Sequence, residues 1–332
     1  MEAGTPPLSE EAPRLNWINF LFILSVHAAA LGTVVYMAAV QFSWWSVALG
    51  LFWMGASSMS ITGGYHRLFA HNAYKAGWPL RLFYLLFGAA GVQNSALKWS
   101  ADHRRHHNKV DTEQDPYNIR RGFWWAHILW IFYHEDASDV VGVKDLQADR
   151  MVMFQHRHYI ALAILMGAVV PFCLGLLWGD PVGAMLICAF LRLLLQWHAT
   201  FSINSFTHVW GKQPFSTENS ARDSFWAALI TLGEGYHNYH HRFATDYRNG
   251  VRWYHFDPTK WFVWTLSHVG LTRELKRTAQ EKIERARETV RTQKAAAQQA
   301  LAETAESAGA LASSVLDGTR RPAPALAEDQ RR

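Results

Sequence analysis

Residues 15 to 66 contain no Asp, Glu, Lys or Arg, a run of 52 positions bounded by Arg14 and Arg67. Soluble cores rarely sustain so long an uncharged stretch. Since a membrane-crossing helix needs about 20 apolar residues, the run holds two of them. They fall at about 16–40 and 44–64, with a turn at Gln41-Phe42-Ser43. A second pair covers about 159–179 and 182–203, separated by Gly179-Asp180-Pro181. Charged residues make up only 18% of the chain, against roughly 25% in soluble domains. Sixteen Trp and nineteen Phe supply the rings that favour a lipid–water boundary. The pattern predicts an all-α polytopic membrane protein with four transmembrane helices.

Sidedness follows from the basic residues. The turns near 41–45 and 178–182 lack Lys and Arg, whereas 67–158 and 212 onward are rich in both. The positive-inside rule therefore puts residues 1–14, the central segment and the C-terminus in the cytoplasm. The N-terminal MEAGTPPLSEEAPR has no basic region leading into an apolar core, so no cleaved signal peptide is expected. With no organelle signal evident, a bacterial inner membrane is the expected location. Two shorter apolar stretches, Leu82–Leu97 and Ser224–Gly233, are read as buried beside the spans or lying at the interface. Residues 271–332 carry 21 of the chain's 59 charges and read as a solvated tail, polar and helical, then disordered.

Composition removes several classes of function. Net charge is only +5, too mild to imply nucleic acid. The two cysteines, Cys173 and Cys188, both sit in apolar runs. That excludes a disulfide framework, a Cys-based zinc site and a four-Cys iron–sulfur cluster.

Histidine placement carries the chemistry. Of seventeen histidines, nine fall in four clusters near the cytoplasmic ends of the spans: His66 and His71; His103, His106 and His107; Asn204 with His208; and His237, His240 and His241. Spacings of three and four put the members of a cluster on one helical turn, with His103 and His107 stacked on one face. His66 and His71, five apart, diverge by about 140° on a straight helix. Nine imidazoles exceed what one ion takes, so two metals are expected; on ligand type alone iron, zinc or copper fits.

HRLFAH, HRRHH, NSFTH and HNYHH, in the contexts GGYHRLFAHNAYKA, DHRRHHNKVDTEQDPYNIRRGFWWAH, INSFTHVWG and GEGYHNYHHRFATDYRNG, resemble the membrane-bound fatty acid desaturases. The resemblance is to the acyl-CoA (stearoyl-CoA) desaturase-like branch, of bacterial type, and covers about residues 15–270. It implies four spans and a cytosolic helical cap over a di-iron centre. It also implies O2 as co-substrate and a cis double bond, at the ninth carbon, in an acyl chain carried on CoA or phospholipid. One iron would be held by His66, His71, His103, His106 and His240. The other would be held by His107, His208, His237 and His241, with Asn204 positioning a water. Asp111, Asp115, Glu234 and Asp246 are expected to orient the imidazoles. Asn19, Met54, Ser58, Asn94, Trp99 and Asp102 match acyl-entrance or tunnel positions. Where the animal enzymes carry basic residues, Ala101 and His134-Glu135 stand here, which weakens phosphate binding; Arg104, Lys109 or Arg120-Arg121 could replace them.

This residue set suits an inert methylene, which has no acidic proton and yields only to a metal-and-O2 oxidant. Neither a G-x-G-x-x-G fingerprint nor a cysteine-based centre is present in the sequence. A separate ferredoxin-, rubredoxin- or cytochrome-type donor is therefore expected to supply electrons. Two alternatives stay open: hydroxylation of a lipid, alkane or carotenoid by the same site, and a non-catalytic metal transporter, which would want ligands within the spans.

Overall fold

Asn16 starts the first long helix, Trp17–Ala39, by accepting the Asn19 backbone N–H on its side-chain oxygen at 3.1 Å. Ser43 does the same for Trp44–Met59 through Ser46 (3.3 Å). Asp180 caps the helical segment Pro181–Val209 through Gly183 (3.0 Å), with Pro181 in the first turn where its missing N–H costs nothing. The computed structural model describes residues 14–133 and 140–318. Residues 1–13, His134-Glu135 and 319–332 lie outside the described residues.

The protein is mostly helical. Three helices are long and apolar enough to cross a membrane: Trp17–Ala39, Tyr159–Trp178 and Pro181–Val209. Ile18, Leu177 and Ile160 are at least 72% exposed on their outer faces, an apolar surface that suits lipid and not water. The fourth expected span, 44–64, departs from expectation. Its α-helix ends at Met59 after 16 residues and continues as a π-helix, Ser60–Ala70. Ser57 and Ser60 hydroxyls donate back to the Trp53 and Ala56 carbonyls (2.7 and 2.8 Å), which loosens a helix. Beyond them Gly64 lies against the Tyr84 ring so closely that a Cβ would sit 2.6 Å from Cγ.

The apolar stretch after Arg81 does not form one helix. It divides into Trp78–Ala90 and the start of Ala96–Lys109. Trp78–Ala90 packs against the π-helix, where Tyr65, Tyr74, Tyr84 and Leu85 form the largest buried cluster. Phe225–Ile230 turns Phe225 and Trp226 outward. Among the described residues one short antiparallel ladder, Lys75–Ala76 against Thr272–Arg273, joins the helices. The tail is also not wholly a solvated appendage. Gln280–Gly318 is one helix, and Ile283, Ala286 and Val290 in its first turns are buried.

Three of the scattered histidines join elements. His27 Nε2 meets His198 Nε2 at 3.1 Å, His198 Nδ1 meets His127 Nε2 at 3.1 Å, and His127 Nδ1 meets Ser205 Oγ at 2.9 Å. The chain ties Trp17–Ala39 and Pro181–Val209 to the short helix Phe123–His127.

At the turns between spans, Asp180, 1% exposed, accepts from Tyr36 Oη (3.1 Å), Ser46 Oγ (2.6 Å) and Gly183 N. One carboxylate thus fastens the helices Trp17–Ala39, Trp44–Met59 and Pro181–Val209. Asp180→Ala orphans three donors and should cost at least about 3 kcal/mol, at roughly 1–3 kcal/mol per unsatisfied group. A thermal-unfolding midpoint several degrees below wild type in detergent checks this.

Candidate metal centre

The nine clustered histidines come from four elements. The π-helix Ser60–Ala70 carries His66 and ends at His71, whose N–H donates to His66 O (3.1 Å), an i→i+5 bond. A π turn brings residues five apart onto one side, so the two rings lie 4.9 Å apart instead of diverging. Ala96–Lys109, capped by Ser95 and held by Gln155 Oε1 on Ala96 N (3.1 Å), presents His103, His106 and His107. Pro181–Val209 delivers His208 in its last turn. The short helix His237–Arg242 supplies the remaining three. Its Asn238 is spent on the 215–221 loop, accepting from Phe215 N and Ser216 N and donating to Ser216 O and Ala221 O. Gly235 is required just before it, because a Cβ there would fall 2.1 Å from Ala228 N.

The imidazoles converge as two groups, each with its ligand nitrogens within 4.8 Å of one another: His66, His71, His103, His107 and His240; and His106, His208, His237 and His241. This corrects the expected division, in which His106 and His107 were exchanged. His103 and His107, four apart, share a face of their helix. His106 turns away from that face, its Nδ1 held 2.8 Å from Asp115 Oδ1 and its Nε2 3.3 Å from His241 Nε2.

Nε2 faces Nε2 throughout: His66–His240 2.9 Å, His240–His107 2.9 Å, His71–His103 2.8 Å, His237–His208 3.1 Å and His241–His237 3.0 Å. A neutral imidazole has one N–H, so His240 Nε2 cannot serve both of its 2.9 Å neighbours as a hydrogen-bond network requires. Nitrogens about 2.0–2.1 Å from a common ion lie roughly 3 Å apart. The donor set therefore fits two cations. Burial, reinforced by the mutual proximity of the rings, holds His71, His103, His107, His237, His240 and His241 well below the usual imidazole range. They stay neutral with lone pairs free for metal.

Two of the four expected carboxylates touch ligands directly. Asp115 holds His106; burial opposes its ionisation, but His106 and the Tyr117 and Asp111 N–H groups outweigh that and lower its pKa. Glu234 Oε2 lies 2.8 Å from His66 Nδ1, and burial is again outweighed, by His66 and Arg67, bringing Glu234 to about 2. Asp111 acts through an intermediary: Ser220, bonded to Asp111 by N–H and hydroxyl, meets His208 Nδ1 at 2.7 Å. Asp246 contacts no ligand histidine among its described bonds. It accepts instead from Tyr239 Oη (2.7 Å), Arg248 and Thr278 N (2.8 Å). Sequence reasoning missed Ser220, for which the sequence carries no signal, and Arg67, which pairs with Glu234 (2.9 Å) and Asp257 (3.0 Å) in a fully buried knot.

A cavity of about 440 Å³ opens beside the histidines, with His66, His103, His106 and His237 in its wall. Asn19, Ser58, Asn94, Trp99, Asp102 and Asn204 also line it; Met54 does not. Trp99 stacks on His103 at 4.9 Å, and Asn204 sits one turn before His208. Lys98 lines the same cavity and pairs with Asp102 at 2.6 Å. Arg104, a candidate for phosphate, is committed to Phe69 O, Ala70 O and Asp145.

Residues 42–269 match the fatty acid desaturase family model. The chain belongs to this family. It is 44% identical over 265 residues to a probable acyl-CoA desaturase of Schizosaccharomyces pombe, covering 79% of this chain and 54% of that protein. It is 32% identical over 285 residues to stearoyl-CoA desaturase 4 of Mus musculus, covering 84% and 79%. With the sn-1 stearoyl-lipid 9-desaturase of Anabaena variabilis it shares 33% over 268 residues, covering 80% and 95%. The chain spans about half the length of the two yeast relatives it matches.

Removing the charge behind His106 should loosen one group of ligands. Asp115→Asn is expected to weaken metal retention about 10–100-fold, read as metal per chain and by competition with a chelator.

Proposed function

We propose that the chain is an O2-dependent fatty acyl desaturase that introduces a cis double bond, at the ninth carbon, into a saturated acyl chain on CoA or phospholipid. The observation that carries this is the pair of convergent imidazole groups in the wall of a partly apolar cavity set against membrane-type helices. The metals are read as two irons, held by His66, His71, His103, His107 and His240 and by His106, His208, His237 and His241, with Asn204 beside the second group. Iron held at these imidazoles would supply, with O2 and two electrons from an external donor, an oxidant able to remove one hydrogen from each of two adjacent carbons, with O2 leaving as two waters. The protein's own residues do the rest. Phe22, Ile23, Ile61, Trp197 and Phe201 give the cavity wall an apolar surface that exchanges water for a hydrocarbon chain. Trp99, stacked on His103, lines the cavity beside the imidazoles.

The Trp44–Met59 helix with its π-helical continuation is read as the fourth span, and residues 96–158 and 212–294 as the cap. The basic character of those segments supports a cytoplasmic site. Both carriers find support, since the similar proteins include acyl-CoA and acyl-lipid desaturases by name, and one is named a 9-desaturase. At the cavity wall Lys98 is paired with Asp102, so phosphate binding there competes with an internal carboxylate. Electrons come from a separate ferredoxin-, rubredoxin- or cytochrome-type donor.

Lipid analysis of cells expressing wild type or His107→Ala tests the reading, with double-bond positions mapped by mass spectrometry. A monounsaturated acyl chain formed only by wild type is expected, and pulse-labelling of the CoA and phospholipid pools identifies the carrier. Hydroxylated products in place of alkenes would reassign the site to hydroxylation. Two bound irons with no product, although a reductant is supplied, would sink the enzyme reading.

A further inference from the structure

One stretch of the C-terminal region, residues 272–294, touches the flanks of two ligand-bearing segments at once, although it lies beyond the family-matched region ending at 269. On the His71 side, Thr272 and Arg273 pair with Ala76 and Lys75, and Lys276 N–H donates to Ala73 O (2.9 Å), two residues past His71. On the other side, Tyr247 N–H donates to Lys276 O (3.0 Å), and Thr278 N–H donates to Asp246 Oδ2 (2.8 Å). The same Asp246 oxygen accepts from the hydroxyl of Tyr239, which stands between His237 and His240.

The helix that follows completes the contact. Ile283, fully buried, packs with Tyr239 and Phe215 on the side of His237–Arg242 away from the metals. Arg287 lies 4.9 Å from the centre of the Phe215 ring. Lys294 Nζ donates to Gln213 O (3.0 Å), and Thr217 Oγ1 to Gln293 (3.1 Å). His237–Arg242 has only six residues, too few to hold its own shape in water. Its orientation must come from what packs behind it.

We propose that residues 272–294 form a strap whose seating, centred on Ile283 against Tyr239, positions His237, His240 and His241 and sets how tightly both metals are held. Ile283 and Tyr239 are positioning residues: they act on the ligands through the helix and touch no metal. His240 belongs to one group and His237 and His241 to the other, so displacing this helix loosens both. The inference rests on the two-metal reading above.

The test uses the full chain purified in detergent, loaded with ferrous iron, in four forms: wild type, Ile283→Asp, Ile283→Leu, and Leu301→Asp as a control at a 70% exposed position of the same helix. The readouts are iron per chain, the rate of iron transfer to a chelator, and helical content by circular dichroism. Ile283→Asp is expected to release iron at least tenfold faster at unchanged helical content outside the tail, with Ile283→Leu restoring the wild-type rate and Leu301→Asp matching it. If Ile283→Asp aggregates, Ile283→Ala and Val290→Ala replace it and should each raise the release rate several-fold. Wild-type release rates in folded Ile283 and Val290 variants would overturn the strap. A wild type that binds no iron would instead overturn the metal centre on which it rests.

Discussion

Nine imidazole rings bring their Nε2 atoms together in two groups, and one N–H per neutral ring cannot satisfy His240 or His237, each of which faces two others. Without cations the lone pairs repel, and with them each ring must be held in orientation from behind. The rest of the molecule can be understood as that backing. Asp115 holds His106, Ser220 and Asp111 hold His208, and Glu234 stands behind His66. Glu234 is held in turn by Arg67 and Asn249, and Arg67 by Asp257 and the Tyr247 carbonyl. Such a knot of buried charge costs several kcal/mol in desolvation for each ion. Its members repeatedly bridge a ligand segment to a neighbour, which is a positional function more than a stabilising one.

The same demand explains the unusual backbone. A regular α-helix would set His66 and His71 on different sides. The π-helix, with Tyr84 lodged against Gly63 and Gly64, trades ordinary hydrogen-bond geometry for convergence. The short helix His237–Arg242 makes a similar trade. It is too brief for stability of its own, and it borrows rigidity from Asn238, from the close approach at Gly235 and from the tail.

Much of this was legible in the sequence. The uncharged run and the two turns without basic residues foretold the apolar helices, and the histidine spacing marked all nine imidazoles that converge. The exchange of His106 and His107 was implicit in that spacing, since residues four apart share a face and residues three apart diverge further. Ile283, Ala286 and Val290 also stood at helical spacing within the charged tail, three apolar positions too sparse to suggest a core by themselves. Other features depend on neighbours far away in the chain. Tyr84 packs closely against Gly63 and Gly64 within the π-helix, and Asp246 answers to Thr278 instead of a histidine. Met54 lies off the cavity, although Ser58, one turn later on the same α-helix, lines it.

The helix ending at His208 unites the membrane with the chemistry. Gln196, Trp197, Thr200, Phe201 and Asn204 face the cavity, His198 and Ser205 face the histidine chain, and Leu195 and Phe206 remain more than 40% exposed on the outer surface. Trp197 donates to Gly91 O (3.0 Å), and Gln196 Oε1 accepts from Ser57 Oγ (2.8 Å) and Arg192 (2.9 Å). These bonds fix the helix to two neighbours at the depth of Trp197. From there to His208 is eleven residues, or about 16 Å at the helical rise. Cavity wall and metal ligand are thus parts of one rigid rod, pinned at one end by buried hydrogen bonds and at the other by Ser220. On the desaturase reading proposed above, that fixed length would set which carbon of a bound chain faces the imidazoles, because the wall along Gln196–Asn204 and His208 belong to one helix.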